Sequence, residues 1–225
     1  MSQAKHSAFI SYPEQASFGR TLPKNKIYEH SGANTRLKEL FVEQVEQIVW
    51  QYKLAPETIN LSAKPGVPEI QVFAIGLKTP ELNLDVLRCI DGAVQFPIIF
   101  ELGFDGRTQV IATYKRLSES DPSRWVLSDY FSTEWLLCDV QRTAMPLALD
   151  LGSLYEQVLK QLIPLPARPQ EGIVDLVARV ELVRSKQREV EKTASKLVKE
   201  KQFNRKVEIN ADLRKLKTEL DGLTQ

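Results

Sequence analysis

The sequence predicts a mixed α/β (or α+β) fold. A small mixed sheet of about four strands with flanking helices is followed by a C-terminal α-helical coiled coil, either hairpin or rod. Three observations carry this. The run Ile70, Val72, Phe73, Ile75 and Leu77 is apolar on both alternating faces, which marks an interior strand covered on both sides. Asp105-Gly106 separates two strand-like runs, 97–102 and 109–116, the local signature of a tight hairpin. Beyond the proline-dense stretch 164–169, apolar residues recur alternately three and four apart, which is a heptad seam.

Taken in order, residues 1–33 read as an irregular arm, because Pro13, Gly19, Pro23 and Ser31-Gly32 interrupt any period. The arm holds one basic cluster, Arg20, Lys24 and Lys26, with Tyr28 beside it. Such a cluster is either a solvated arm or a grip on a phosphate backbone with a ring for base stacking. The α/β domain is expected over 34–163. Asn34 caps a helix running to about Tyr52, with Leu37, Leu40, Phe41, Val45, Ile48, Val49 and Tyr52 on its apolar face. A short helix over 83–93 buries Leu84, Leu87 and Ile90, and another strand spans 125–136 after a polar loop, 118–122. A helix over 153–162, with Leu154, Val158, Leu159 and Leu162 on one side, closes the domain. Trp50, Trp125 and Trp135 fall on periodic apolar faces and read as core.

Residues 164–170 read as a stiff proline-rich linker and 171–225 as a helical tail. Its first seam runs through Ile173, Leu176, Val180, Val183, Val190 and Leu197, its second through Ile209, Leu213, Leu216, Leu220 and Leu223. The two are out of phase, so either a turn lies near 202–204 and the helices form a hairpin, or one helix continues through a stutter. Exposed heptads seek a partner in the same chain or another, which makes a homo-oligomer through this seam one expectation.

Thirty basic against 29 acidic residues give a net charge of +1, so no global field selects a polyanion. The distribution is less even. Residues 181–217 hold 12 basic and 6 acidic groups, with Lys199, Lys201, Arg205 and Lys206 among them. They are either the wet side of a helix pair, salt-bridged along its faces, or a contact to nucleic-acid phosphates.

Two cysteines, Cys89 and Cys138, and two histidines, His6 and His30, are scattered along the chain. They fit buried thiols and surface imidazoles better than a zinc site or a triad, and no metal or other cofactor is expected. Phosphate-cradling glycine motifs are missing as well. A diverged metal-dependent nuclease centred on Glu101 and Lys115 is the enzymatic alternative. It lacks the acidic-x-Lys spacing that would hold a metal and steer water. The first residues have no apolar core like that of a signal peptide, and no run is long enough to span a membrane. A cytoplasmic protein without membrane contact is therefore expected.

Four segments carry a family resemblance: Leu22-Pro23-Lys24-Asn25-Lys26-Ile27-Tyr28-Glu29-His30, Leu54-Ala55-Pro56-Glu57-Thr58-Ile59-Asn60-Leu61, Tyr130-Phe131-Ser132-Thr133-Glu134-Trp135, and residues 200–210, from Glu200 through Phe203 and Arg205 to Asn210. With them the chain resembles a bacterial family described as domain of unknown function 4391. The resemblance implies company with site-specific DNA methyltransferases and superfamily II helicases in mobile defence clusters, and it transfers no catalytic residue. The functional expectation is a non-catalytic accessory subunit of a DNA modification or restriction assembly. Its helical tail would dock a helicase or DNA methyltransferase, with a DNA contact beside it. A self-associating structural module is the other alternative.

Overall fold

The computed structural model describes residues 8–118, 120–121 and 124–224. His6 and two residues of the expected polar loop, Glu119 and Pro122, lie outside them. The chain divides into two compact units, Met1–Leu162 and Ile163–Gln225.

The first unit is built on a sheet of seven strands, larger than the four or so expected. Strands β2 (Ser17–Thr21), β3 (Val45–Leu54), β4 (Ile70–Leu77), β5 (Ile98–Phe104), β6 (Arg107–Leu117) and β7 (Trp125–Ser132) lie side by side in that order, and β8 (Leu136–Leu137) pairs with the start of β6. All these pairings are antiparallel except β4 with β5. A parallel pair needs a crossover, and helix α4 (Leu84–Ala93) lies in that connection. A separate parallel pair joins β1 (Ile10–Ser11) to β9 (Thr143–Ala144).

Both faces of the sheet are covered. On one face Ile27 of α1 (Lys24–Ser31), Phe41 of α2 (Thr35–Gln44) and Leu87 and Ile90 of α4 join Phe73, Ile75, Phe100, Leu102 and Ile111 in one core. On the other, α5 (Leu151–Leu162) packs against β6 and β7 with Leu154, Tyr155, Val158 and Leu159 buried. A four-residue helix, α3 (Pro56–Ile59), follows β3. Several local causes act as expected. Asp105 and Gly106 take positive φ of 46° and 69°, the mirror-image turn whose twist suits a two-residue hairpin. Asn83 and Asn34 accept the backbone N–H of Asp85 and Leu37 and so cap α4 and α2.

Two expectations are corrected. Residues 10–31 are not an irregular arm, because they contain β1, the sheet strand β2 and helix α1. The helix that starts after Asn34 ends at Gln44 and does not reach Tyr52, since Val45–Leu54 is a strand between β2 and β4. Both readings fit the apolar spacing of 45–52. The β-branched and aromatic residues Val45, Ile48, Val49, Trp50 and Tyr52 favour the pleated surface once two neighbouring strands are available. The helix end is held from elsewhere in the chain. Lys24 Nζ donates to the carbonyls of Phe41 and Val45 at 2.9 and 2.5 Å, and Lys78 Nζ donates to that of Val42 at 2.7 Å. The Val42 carbonyl is one that a helix C-terminus leaves without an internal partner, whereas that of Phe41 accepts the Val45 N–H as well as the Lys24 ammonium. Similarly, the expected strand 125–136 is two strands, β7 and β8. The tryptophans are half-buried rather than fully enclosed.

The second unit is a pair of helices, α6 (Ile173–Lys199) and α7 (Phe203–Thr224), packed on each other. They run antiparallel, as the 3.0 Å ion pair from Lys186 to Glu219 and the 3.0 Å hydrogen bond from Arg179 to the Leu223 carbonyl show. The hairpin reading therefore holds and the continuous rod does not. The break falls at 200–202, where the Glu200 carboxylate accepts the N–H groups of Lys201 and Gln202 at 2.7 and 2.8 Å. That break resolves the phase slip between the seams. Leu176, Val180, Val190 and Leu213 are buried, and Val183, Leu197, Ile209, Leu216 and Leu220 are half-buried.

Residues 164–170, expected as a stiff proline-rich linker, are tied to the hairpin base. Arg179 forks onto Glu171 at 2.7 and 2.8 Å and donates to the Pro166 carbonyl at 2.8 Å, while Arg168 reaches the Gly222 carbonyl at 2.9 Å. These contacts hold the Glu171 carboxyl down at about 2, the Arg179 fork contributing most. No helix among the described residues is long and apolar enough to cross a membrane.

Candidate functional site: the tip of the helical hairpin

Charged side chains gather in three places, and their chemistry differs in each. The first is buried under α4. Strand β6 alternates, so Ile111, Thr113 and Lys115 point to the α4 face. The Lys115 ammonium is fully enclosed and donates to the carbonyls of Asp91 and Val94 at 2.5 Å each, closing the C-terminus of α4. It lies 3.7 Å from one Asp91 carboxylate oxygen and 5.5 Å from the centre of the Trp125 ring. Tyr130 donates its hydroxyl to the other Asp91 oxygen at 2.5 Å. Burial pushes the Asp91 carboxyl up to about 6 against the pull of Lys115 and Tyr130, and burial likewise lowers the Lys115 ammonium. Tyr155 on α5 donates to the Thr113 carbonyl and accepts the Lys115 N–H. These contacts hold α4 and α5 on the sheet.

The second gathering is on the opposite face. Glu101 is buried and takes both arms of the Arg142 guanidinium at 2.8 Å. Arg142 also donates to the Ile10 carbonyl at 2.7 Å and stacks over the Phe9 ring at 3.9 Å, so the pair fastens β1 and β9 to the sheet. A nuclease centre on Glu101 and Lys115 does not assemble. Glu101 is opposite Val110 in the register, and Lys115 lies an odd number of residues further along β6, on the other face. Among the described residues no group of three or more His, Cys, Asp or Glu converges as metal ligands would. Cys89 is buried beside the Ser31 hydroxyl, whereas Cys138 is exposed, contrary to the expectation of two buried thiols.

The N-terminal basic cluster is dispersed. Lys24 is spent on the end of α2, and Tyr28 packs edge-on against Phe41 with its hydroxyl enclosed. Lys26 pairs with Glu29 at 2.9 Å on the surface, and Arg20 lies over the Phe18 ring. Lys38 also lies over the Tyr28 ring, 5.6 Å from its centre, so the ring is engaged within the fold.

The third gathering is the end of the hairpin. Lys196 and Lys199 close α6, Lys201 lies in the break, and Arg205 and Lys206 are in the first turn of α7. All five are exposed and none makes an ion pair among the described residues. The acidic residue among them, Glu200, has its carboxylate turned onto the backbone of the break. Among them in the chain stand Val198 and Phe203, with Val207 next after Lys206, exposed at 84%, 78% and 55%. Sequence reading found these cations but passed over Phe203, although it starts the new helix where the seam changes phase. An apolar residue at a break between seams is the signal that marks it.

Fold and site together define a mixed α/β body carrying a two-helix arm with a basic, apolar tip. The family model for a domain of unknown function (DUF4391) matches residues 10–220, and the chain belongs to that family. The match takes in both the body and the hairpin tip. Comparison with curated proteins and with solved structures gives no match.

Proposed function

We propose that the protein is a non-catalytic accessory subunit of a bacterial DNA modification or restriction assembly, and that its hairpin, coiled-coil-like along the heptad seam, is the arm that docks a helicase or DNA methyltransferase. The observation that carries this is the tip. Residues 196–207 bring five exposed cations and three exposed apolar side chains together at one helix break. Lys24, Lys115 and Arg142 of the body, by contrast, are committed to carbonyls and a carboxylate of the fold itself. Of the seam residues, Leu176, Val180, Val190 and Leu213 are buried, and α6 and α7 pack on each other. The family resemblance supplies the assembly and the physics supplies the surface.

The test is affinity capture from the native host with the full-length protein and with a tip variant, Lys199→Glu, Lys201→Glu, Arg205→Glu and Lys206→Glu together. Recovery of a helicase or methyltransferase by the wild type and its loss with the variant is the expected result. Recovery of neither enzyme by the wild type overturns the proposal.

A further inference from the structure

Resting on the reading of the hairpin end as the working surface, we infer that the tip binds single-stranded nucleic acid, with Phe203 as the stacking platform for an unpaired base. Binding of this kind combines cations that follow the phosphates with an aromatic ring open to a base. The tip has both. Lys199, Lys201, Arg205 and Lys206 flank Phe203 within a few residues on either side, and the ring is 78% exposed. Phe203 and Val207 lie one turn apart on the same side of α7, so the ring has an apolar shoulder behind it.

The charge points to a polyanion. Residues 196–206 carry five basic groups and one acidic one, and Glu200 is occupied by two backbone N–H groups. Lys186 is paired with Glu189 and Glu219 and Arg179 with Glu171, whereas the five basic groups of 196–206 form no ion pair among the described residues.

Geometry favours a single strand over a duplex. A major groove admits the side of one helix, whereas this surface consists of the adjoining ends of two helices and the break between them. Bases in a duplex are already stacked on each other, so Phe203 finds an open face only where a base is unpaired.

Fluorescence anisotropy with purified full-length protein and a labelled oligothymidine, across a salt series, tests this. Wild type binds at low salt, and its affinity falls as salt rises. Phe203→Ala binds the oligothymidine roughly 5- to 100-fold more weakly, the range that the loss of one stacked base gives, and Phe203→Trp restores binding. Replacing Lys199, Lys201, Arg205 and Lys206 by alanine makes the salt dependence shallower, by about 0.7 in slope for each phosphate that is no longer neutralised. A control that replaces Arg36, Lys38, Arg107 and Lys160 of the body by alanine binds as wild type does. No affinity at low salt, equal binding by Phe203→Ala, or tighter binding to a blunt duplex of mixed sequence each overturns the inference. Should the protein capture a helicase or methyltransferase yet bind no oligothymidine, the docking arm stands and the tip meets a protein instead.

Discussion

The body and the hairpin tip use the same residue type in opposite ways. In the body, Lys24 closes the C-terminus of α2 and Lys115 closes that of α4, each ammonium donating to main-chain carbonyls. At the tip, Lys196 and Lys199 occupy the equivalent last turn of α6 and stay in solvent. Helix geometry creates the same orphan carbonyls in all three places. The difference is what surrounds them. Where another layer covers the helix end, water is excluded and an ammonium must replace it. Where nothing covers the end, water satisfies the carbonyls and the ammonium is left for another partner. A lysine near a helix end is thus structural or available according to whether that end is covered.

The comparison can be broken at its strong end first. Lys115→Met removes a buried cation while leaving Asp91 and two carbonyls without it. Loss of one partner from a buried pair costs about 3–5 kcal/mol, a fall in melting temperature on the order of 10 °C for a chain of this size. The loss shrinks at pH 5, where Asp91 holds its proton. Thermal unfolding followed by circular dichroism checks this, and a variant within about 1 kcal/mol of wild type would place Lys115 with the dispensable surface cations.

The two units also differ in how acid acts on them. Asp91 titrates at about 6 in the fold against an ordinary 3.8. Between those values the native state keeps a proton that the unfolded chain has released, so stability falls as pH rises from about 4 to about 6 and then levels. Glu171 is the reverse case, held at about 2 against 4.5. Its contribution is complete above 4.5 and is lost as pH falls towards 2. Asp91→Asn should flatten the first slope and Glu171→Gln the second, each leaving the other in place. Melting curves taken from pH 3 to pH 7 separate them.

The smallest effect is expected at the tip. Reversing Lys199, Lys201, Arg205 and Lys206 should change stability by no more than about 0.5 kcal/mol, because exposed unpaired charges add little to a fold. A destabilisation comparable to that of Lys115→Met would show that these cations hold the hairpin together.

Much of this molecule was readable where cause and effect are neighbours in the chain. Asp105-Gly106 makes its turn wherever two strands flank it, and Asn34 and Asn83 cap helices that start beside them. The phase slip between the seams placed a turn near 202–204 or a stutter in one continuous helix, and the structure puts the break at 200–202. Residues 45–54 were not readable, because their apolar spacing serves a helix and a strand equally, and the choice depends on β2 and β4 lying alongside. Lys115 was not readable: by itself it reads as a solvated strand residue, because Asp91 and Tyr130, which make its buried position tolerable, lie 24 and 15 residues away.

By itself, then, the sequence determined the mixed α/β class, the hairpin turns, the helix starts and the break between two heptad seams, since those rest on backbone sterics and short-range hydrogen bonds. Tertiary structure alone decided that α2 stops at Gln44, that Glu101 and Lys115 face away from each other, and which lysines remain free. Each of those outcomes turns on whether a distant segment covers a polar group, and the cost of burying one without a partner is not set until that segment arrives.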